Sequence, residues 1–421
     1  MLKIIQKYKQ YEKLVYNFLF LFIIQIVEMF VPLIIFRILI DVVGVEKFGL
    51  LNYIIAFVVY FQILIDYGFN NSATRQISLN IHSNAKVNVI INRVISAKIY
   101  LLVFSFIIFS LIVFLIPSFK ENWIIYFLYF GVIIGYTFSP SWYYQGIQNM
   151  KSYMFTNIIV KISSLIIIYF LIKNENDFWL APLILSISQI LIALITFSLL
   201  LLNNSYQFRL LSPIKIFREL NEGKYFFLSE LQATLFTNTN VIILGFFSSL
   251  TNVAYFTSAD KLTRSIRNIQ IPLSNALYPH LSIEVNKNPK KGLKQINKIT
   301  LFGLCILISS SIIIGYFGEK IIILIFSNDM TGATTVFQIL LLIPIFSFID
   351  SMYGKQILLN LKKDKIFFNI FLFSSLFCLI LSCILSYKYS IIGTAIAVVI
   401  GQGVLAILMF FYAQKIVYGK S

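Results

Sequence analysis

An all-α polytopic membrane protein is the fold class this sequence predicts, and three observations predict it. The 421 residues are 59% hydrophobic and only 12% charged, a balance outside the range of soluble globular domains. Apolar runs of about 20 residues, the length a helix needs to cross a bilayer, recur along the whole chain. Lysine and arginine gather between those runs instead of spreading evenly.

The expected spans are 14–36, 49–69, 94–116, 123–145, 154–172, 178–202, 225–247, 253–271, 299–317, 333–353, 366–386 and 391–412, about twelve in all. The connections between them are short, and none could hold a core of its own. The first run follows Lys3, Lys7, Lys9 and Lys13. It is too long for the apolar region of a signal peptide, about 7 to 15 residues, and no small-x-small cleavage site follows. It is therefore expected to be a retained span.

A net charge of +17 in a soluble chain would suggest nucleic acid. Here the cations lie in connections, where they set topology and touch anionic membrane lipids, so no nucleic-acid partner is expected. With the N-terminus inside, the inner segments hold the four N-terminal lysines, Arg75, Lys86, Arg93, Lys151, Arg209, Lys215, Arg218 and Lys224. They continue with Lys287, Lys290, Lys291, Lys294, Lys298, Lys355, Lys362, Lys363, Lys365, Lys415 and Lys420. The outer connections hold only Arg37, Lys47, Lys120, Lys173, Lys320 and Lys388. The bias predicts that both termini are cytoplasmic.

A weak internal repeat is visible. Gly49-Leu-Leu-Asn-Tyr-Ile leading to Arg75-Gln-Ile-Ser78 parallels Ala254-Tyr-Phe-Thr-Ser-Ala leading to Pro279-His-Leu-Ser282. The separation, near half the chain, predicts two six-helix bundles of shared orientation, 1–205 and 225–421, joined by a cytoplasmic linker at 206–224. A substrate site is then expected between the halves. Gly131 and Gly135, and Gly393 with Ala397 and Gly401, have the small-x-x-x-small spacing of close helix packing. Cys305, Cys378 and Cys383 lack metal-type spacing and are expected to be buried space-filling thiols.

Charges inside apolar runs need a reason, since insertion scales put a central ionised group at about 2.5–3.5 kcal/mol. Span 253–271 carries Asp260, Lys261, Arg264 and Arg267 along one stripe, extended by Asn268. At 1.5 Å per residue, Lys261 lies about 12 Å below the outer end, Arg264 about 17 Å and Arg267 about 21 Å. An Asp260–Arg264 pair at i,i+4 with the other cations snorkelling explains part of the stripe. One carboxylate cannot neutralise three cations, however, and Lys261 is too deep to snorkel easily. A shift of 205 residues aligns these four positions with Ile55, Ala56, Val59 and Gln62, so the shared scaffold does not require charge there. Lys261 and Arg264 are the expected cavity cations. Arg267 is nearer the inner interface, with Asp260 holding Arg264.

Gln25 and Glu28 lie three apart in the first span, with Pro32 removing a backbone hydrogen bond four residues on. Glu28 either titrates during transport or, the reading preferred here, pairs with a cation of the eighth span. Glu230, Thr234, Thr237, Asn238 and Asn240 form a polar face in the seventh span that either bonds between helices or lines a cavity. Lys161 is a further cavity candidate, whereas Lys98 is expected to reach the interface. Trp142, Tyr143 and Tyr144 are placed as an interfacial aromatic belt. No catalytic constellation, cofactor or metal site is expected.

Asp66-Tyr-Gly-Phe followed by Ala73-Thr-Arg-Gln-Ile-Ser78 resembles the polysaccharide flippases of the Wzx type, in the multidrug/oligosaccharidyl-lipid/polysaccharide exporter superfamily. Trp142-Tyr-Tyr-Gln-Gly146 is similar to that family's aromatic-Gln-Gly element. Tyr255-Phe-Thr-Ser-Ala-Asp-Lys-Leu262, with Ala276-Leu-Tyr-Pro279 and Ser282, resembles its eighth-helix signature. The resemblance covers essentially the whole chain and implies a V-shaped pair of bundles of the kind found in multidrug exporters of that superfamily, in a bacterial inner membrane. It implies transfer of undecaprenyl-diphosphate-linked oligosaccharide units for O-antigen, capsule or a related polysaccharide to the outer leaflet. A polysaccharide polymerase and a chain-length regulator are the partners it suggests. On this reading Lys261, Arg264, Arg267 and Lys161 would meet the diphosphate, while Asp66, Gly68 and Arg75 report the fold. Two other readings stand beside it. An ion-coupled drug antiporter would want acidic residues in its cavity. A membrane glycosyltransferase or polymerase would want a sizeable outer loop with catalytic groups, where only Asp41 and Glu46 are available.

Overall fold

The computed structural model describes residues 2–204 and 208–419, and their side chains except at 2–18, 203, 204, 214, 215, 218, 219 and 222. The lysines at 3, 7, 9 and 13, with Lys215, Arg218 and Lys420, fall outside the described side chains. The helices are α1 (Leu2–Asp66), α2 (Phe69–Leu79), α3 (Asn84–Leu115), α4 (Pro117–Lys120), α5 (Trp123–Phe138), α6 (Ser141–Gly146), α7 (Lys151–Leu171), α8 (Leu180–Asn204) and α9 (Pro213–Thr237). They continue as α10 (Thr239–Phe247), α11 (Leu250–Asn268), α12 (Gln270–Lys287), α13 (Pro289–Tyr316), α14 (Gly318–Ile325), α15 (Ala333–Leu340), α16 (Leu342–Asp350) and α17 (Asp364–Tyr418), with a π-helical segment at Ser351–Leu359. Among the described residues there is no strand. The chain is an all-α membrane protein, as its composition requires.

Among the described residues, eight helical stretches are long and apolar enough to cross a bilayer. Two of them are broken, α1 at Gly44 and α17 at Ser390, between the spans expected on either side. The expected spans 225–247 and 253–271 are helical but not among the eight. The first is interrupted at Asn238, and the second carries the four charges. Of the basic stretch expected as a linker, residues 208–212 are not helical and α9 begins at Pro213.

The chain forms two compact units, Met1–Gly44 with Ile54–Leu231, and Val45–Tyr53 with Gln232–Ser421. In the first, α5 and α8 pack at backbone distance. A Cβ on Gly135 would lie 2.5 Å from the Gln189 carbonyl carbon, and one on Gly131 would lie 2.7 Å from Ser186 Cβ. The Ser186 hydroxyl donates to the Leu128 carbonyl at 2.6 Å, which is the contact that small-residue spacing serves between membrane helices. Phe57, Phe61, Phe109, Phe119, Tyr126 and Phe130 fill the neighbouring core, with the Phe109 and Phe130 rings 4.7 Å apart. Phe104, Ile107, Leu111 and Phe114, at helical spacing on α3, stay exposed and form a face suited to lipid.

In the second unit, Gly49 meets the Leu250 carbonyl and Gly401 meets Cys378. These contacts seat 45–53 against α11 and fold the two halves of α17 together. The break at Ser390 has φ of 51°. Its hydroxyl shares a hydrogen bond of 2.5 Å with Ser248 and accepts from Asn252 at 3.1 Å, so three helix ends are joined at one polar knot.

Several sequence expectations are corrected here. Lys98 does not reach an interface. It is 1% exposed and paired with Asp66 at 3.3 Å, its ammonium 5.2 Å from the Tyr136 ring centre. A stem directed into the unit, with a carboxylate and an aromatic face at its tip, removes the need to snorkel. Trp142, Tyr143 and Tyr144 are core residues rather than a belt, because the short α6 turns them inward against Ile77, Ile91 and Leu200. Tyr144 donates to the Thr196 carbonyl at 2.6 Å. Of the cysteines only Cys378 is buried, while Cys305 and Cys383 lie on exposed helix faces.

Two measurements test this packing. Lys98→Met leaves Asp66 buried without its counter-charge and should cost about 3 kcal/mol or more, read as a lower unfolding temperature of the detergent-solubilised protein. Lys98→Met with Asp66→Asn should recover most of that loss, and a fully stable single variant would contradict the buried pair. Gly135→Ala should abolish the monodisperse elution peak, whereas Gly403→Ala, whose new Cβ meets nothing closer than Phe346 at 3.6 Å, should leave it intact.

Candidate functional site

Helix α11 begins where Ser249 caps it, the side chain accepting from the Asn252 amide at 3.3 Å. Val253, Ala254, Phe256, Ala259, Leu262 and Thr263 form its buried face, which leaves Asp260, Lys261, Arg264, Arg267 and Asn268 on partly open positions. Arg264 Nε lies 2.6 Å from Asp260 Oδ2, and its Nη2 donates to the Thr237 carbonyl at 2.6 Å. That carbonyl is free because the helix is interrupted at Asn238. The Val241 amide, which would bond Thr237 in a continuous helix, bonds the Asn238 carbonyl instead at 3.2 Å. The guanidinium thus satisfies a carboxylate and an orphaned carbonyl in one plane, which its forked geometry allows.

Arg267, one turn further on, faces a cavity of about 300 Å3. Asn268, Gln270, Ser274, Ser347, Asp350, Ser351, Lys355 and Gln402 supply its polar wall, and Phe236, Ile271, Phe371 and Leu405 its apolar part. Gln402 donates to Asp350, which also interacts electrostatically with Arg267. Lys355 donates to the Asn275 side chain at 2.7 Å, Ser274 pairs with Ser351 at 3.0 Å, and Gln356 donates to the Ser274 carbonyl at 2.9 Å. A π-helical segment begins directly after Asp350, and the wider turn brings both Ser351 and Lys355 to the cavity wall. A smaller void beside it is lined by Asp260, Arg264 and Arg267, so the α11 stripe runs along one polar seam. Lys261 lines neither cavity, is partly exposed and makes its own contacts.

The candidates of the first unit fall into two groups. Glu28 and Lys161 pair at 2.9 Å, the carboxylate side 54% exposed and the lysine 24%. The counter-ion of Glu28 is therefore Lys161 of α7, not a cation of the eighth span. Gln25, one turn earlier, is exposed. The second group surrounds Asp66, whose carboxylate holds Lys98 and also accepts from the Asn70 amide at 3.4 Å, across the first turn of α2. Glu230 accepts from Asn71 at 3.3 Å and lies close enough to Asp66 and Lys98 to interact with both.

The paired motifs of the sequence form one joint. Thr74 donates to the Trp142 carbonyl and Ser78 to the Gly146 carbonyl, each at 3.1 Å. Ser141 donates to Asn70, which donates to the Tyr136 hydroxyl. Gly146 allows Ile77 to approach to 2.8 Å from where its Cβ would be. Gly68, with φ of 76°, lets the chain turn where Tyr67 stacks on Phe227 at 4.6 Å. These residues hold α2 to α6 and α9. Arg75 takes no part in the joint and is exposed.

Sequence reasoning did not single out Asp350, Lys355 or Gln402. Asp350 carried the signal that flagged Glu28, a carboxylate inside an apolar run. Lys355 was counted only as an inner-side charge, and nothing in the local pattern marks Gln402, which joins the cavity only through folding. Asp41, the candidate acid of the enzymatic reading, is held by Arg37 at 2.7 Å on the same helix.

Comparison with known proteins adds three findings. A protein of Escherichia coli strain K12 named "Putative O-antigen transporter" is 26% identical over 413 residues, covering 95% of this chain and 96% of its own. An inward-facing multidrug resistance MATE family transporter of the MOP superfamily superposes with a TM-score of 0.72 at 14% identity, over 91% of this chain and 93% of its own. The lipid II flippase MurJ in an inward closed conformation gives a TM-score of 0.66 at 19% identity, over 93% and 87%. Both solved structures share the fold. The family model described as "Polysaccharide biosynthesis protein" matches residues 14–283, well over half of the chain, and the protein belongs to that family.

Proposed function

We propose that the protein is a flippase for undecaprenyl-diphosphate-linked oligosaccharide units, moving them from the inner to the outer leaflet of a bacterial plasma membrane by alternating access. Both termini are cytoplasmic on this reading, and the chain works beside the polymerase and chain-length regulator that use its product. The observation that carries it is the polar seam of α11. A drug-cation carrier has no use for guanidinium and ammonium groups at this depth, whereas a diphosphate head group has. Arg267 and Lys355 on the cavity wall give a fork and a mobile point charge for phosphate oxygens. The amide and hydroxyl groups around them suit sugar hydroxyls. Arg264, committed to Asp260 and the Thr237 carbonyl, fixes the shape of the seam. Family membership, and the transporter name carried by the Escherichia coli relative, support the same class.

The ion-coupled antiporter reading has one observation in its favour, the Asp350 carboxylate on the same wall. Its bond from Gln402 and its proximity to Arg267 are accounted for equally well if it orients the guanidinium.

Deleting the gene should accumulate a diphosphate-linked oligosaccharide in the inner leaflet, which mass spectrometry of extracted lipid would identify. Rescue should fall about tenfold or more with Arg267→Ala, and similarly with Lys261→Ala or Arg264→Ala if these cations meet the diphosphate. Full rescue by all three variants at native expression would remove the proposed phosphate site. Asp350→Asn and Glu28→Gln should keep most activity in a flippase that uses these groups to orient cations. Loss of transport with a steep change in its pH dependence would favour the ion-coupled antiporter instead.

A further inference from the structure

Helix α13 opens with a charge pattern that works against its own stability. Lys290 and Lys291 stand in its first turn with no acidic residue beside them, and the helix dipole disfavours cations at that end. Lys290, Lys294 and Lys298 follow one another at four-residue intervals on an exposed face, a spacing at which like charges repel. Helices α12 and α13 together contain one carboxylate, Glu284, and Lys291 takes it at 3.6 Å. Every side chain of these two helices is described. Those of Lys290, Lys294 and Lys298 make no hydrogen bond or ion pair among the described residues. An anion lying along the stripe relieves the dipole penalty and the repulsion together.

The rest of the same helix shows which anion fits. Gly292, Leu293, Ile296 and Thr300 form its buried face. Beyond Lys298 the exposed face continues through Leu301, 67% exposed, Phe302, 71% exposed, and then Ile306, Ile312 and Ile313. Of the eight apolar helices α13 is the least enclosed, with 6% of its most apolar stretch buried against 17% or more in the others. At 1.5 Å per residue the lysines span about 12 Å, and Leu301 lies about 4.5 Å past the last of them. A band of cations that passes directly into bare apolar surface matches a molecule with an anionic head and hydrocarbon chains. A water-soluble anion would leave the apolar part uncovered, and an acidic protein segment would have to enter hydrocarbon to cover it. We infer that the start of α13 binds the head group of an anionic phospholipid whose acyl chains lie along Leu301, Phe302 and Ile306. This site is separate from the α11 seam.

Phe302→Trp places an indole where the lysine stripe meets the apolar face, at a position open enough to accept it. The full-length variant would be reconstituted in phosphatidylcholine vesicles, and its fluorescence measured as brominated phosphatidylglycerol or brominated phosphatidylcholine replaces the host lipid. The parent protein supplies the background from Trp123, Trp142 and Trp179. Brominated phosphatidylglycerol should associate at the new indole about fivefold or more in preference to brominated phosphatidylcholine. Adding Lys290→Gln, Lys294→Gln and Lys298→Gln should bring the two lipids to equal quenching, whereas arginine at the same three positions should keep the preference. Equal quenching by the two lipids in the Phe302→Trp protein would overturn the proposal, and that comparison needs no lysine variant to fold. An unchanged preference in the triple glutamine variant would overturn it as well, since the general surface potential would then be the cause. Translocation does not enter the measurement, so a negative result would leave the flippase reading standing.

Discussion

An ionised side chain within a helix that crosses hydrocarbon must find its counter-charge at the same depth, because water cannot solvate it there. That condition organises both units. Asp66 holds Lys98, Glu28 holds Lys161, Asp260 holds Arg264, and Asp350 interacts with Arg267. Except for the i,i+4 pair of α11, each joins residues from different helices. The ion pairs therefore specify which helices lie side by side, and the small-residue contacts of Gly131, Gly135 and Gly401 set how close they come.

The site depends equally on interruptions. A continuous helix consumes its own carbonyls and offers a ligand only side chains. Here the chain is broken at Asn238 and widened after Asp350, and each irregularity is buried or faces a cavity, the circumstance in which membrane helices tolerate it. The break at Asn238 frees the Thr237 carbonyl that fixes Arg264. The widened turn presents Ser351 and Lys355 together. The polar seam is the joint product of charged side chains on α11 and backbone irregularities in α9 and after α16.

The charges were legible in the sequence because they stand out against apolar neighbours, and the Asp260–Arg264 pair followed from spacing alone. Their partners in other elements were not legible. Glu28 was expected to meet the eighth span but pairs with Lys161, and Lys98 was expected at an interface but is sealed in the core. Trp142, Tyr143 and Tyr144 misled for the same reason. An aromatic cluster at the end of a span has belt composition, and only the turn of α6 shows that it points inward. The motifs at Ala73–Ser78 and Trp142–Gly146, by contrast, were noticed separately and are two sides of one contact.

The sequence by itself determined the all-helical membrane class and the positions of most spans. It also marked the helix that carries the deep cations, because length, hydropathy and charge contrast are properties of consecutive residues. Only the tertiary structure decided which of those cations are neutralised, which face a cavity, and that Gln402 and Asp350 stand at the same wall as Arg267. The physical reason is that pairing in a low-dielectric interior depends on side chains brought together from distant parts of the chain, and linear spacing carries no record of that.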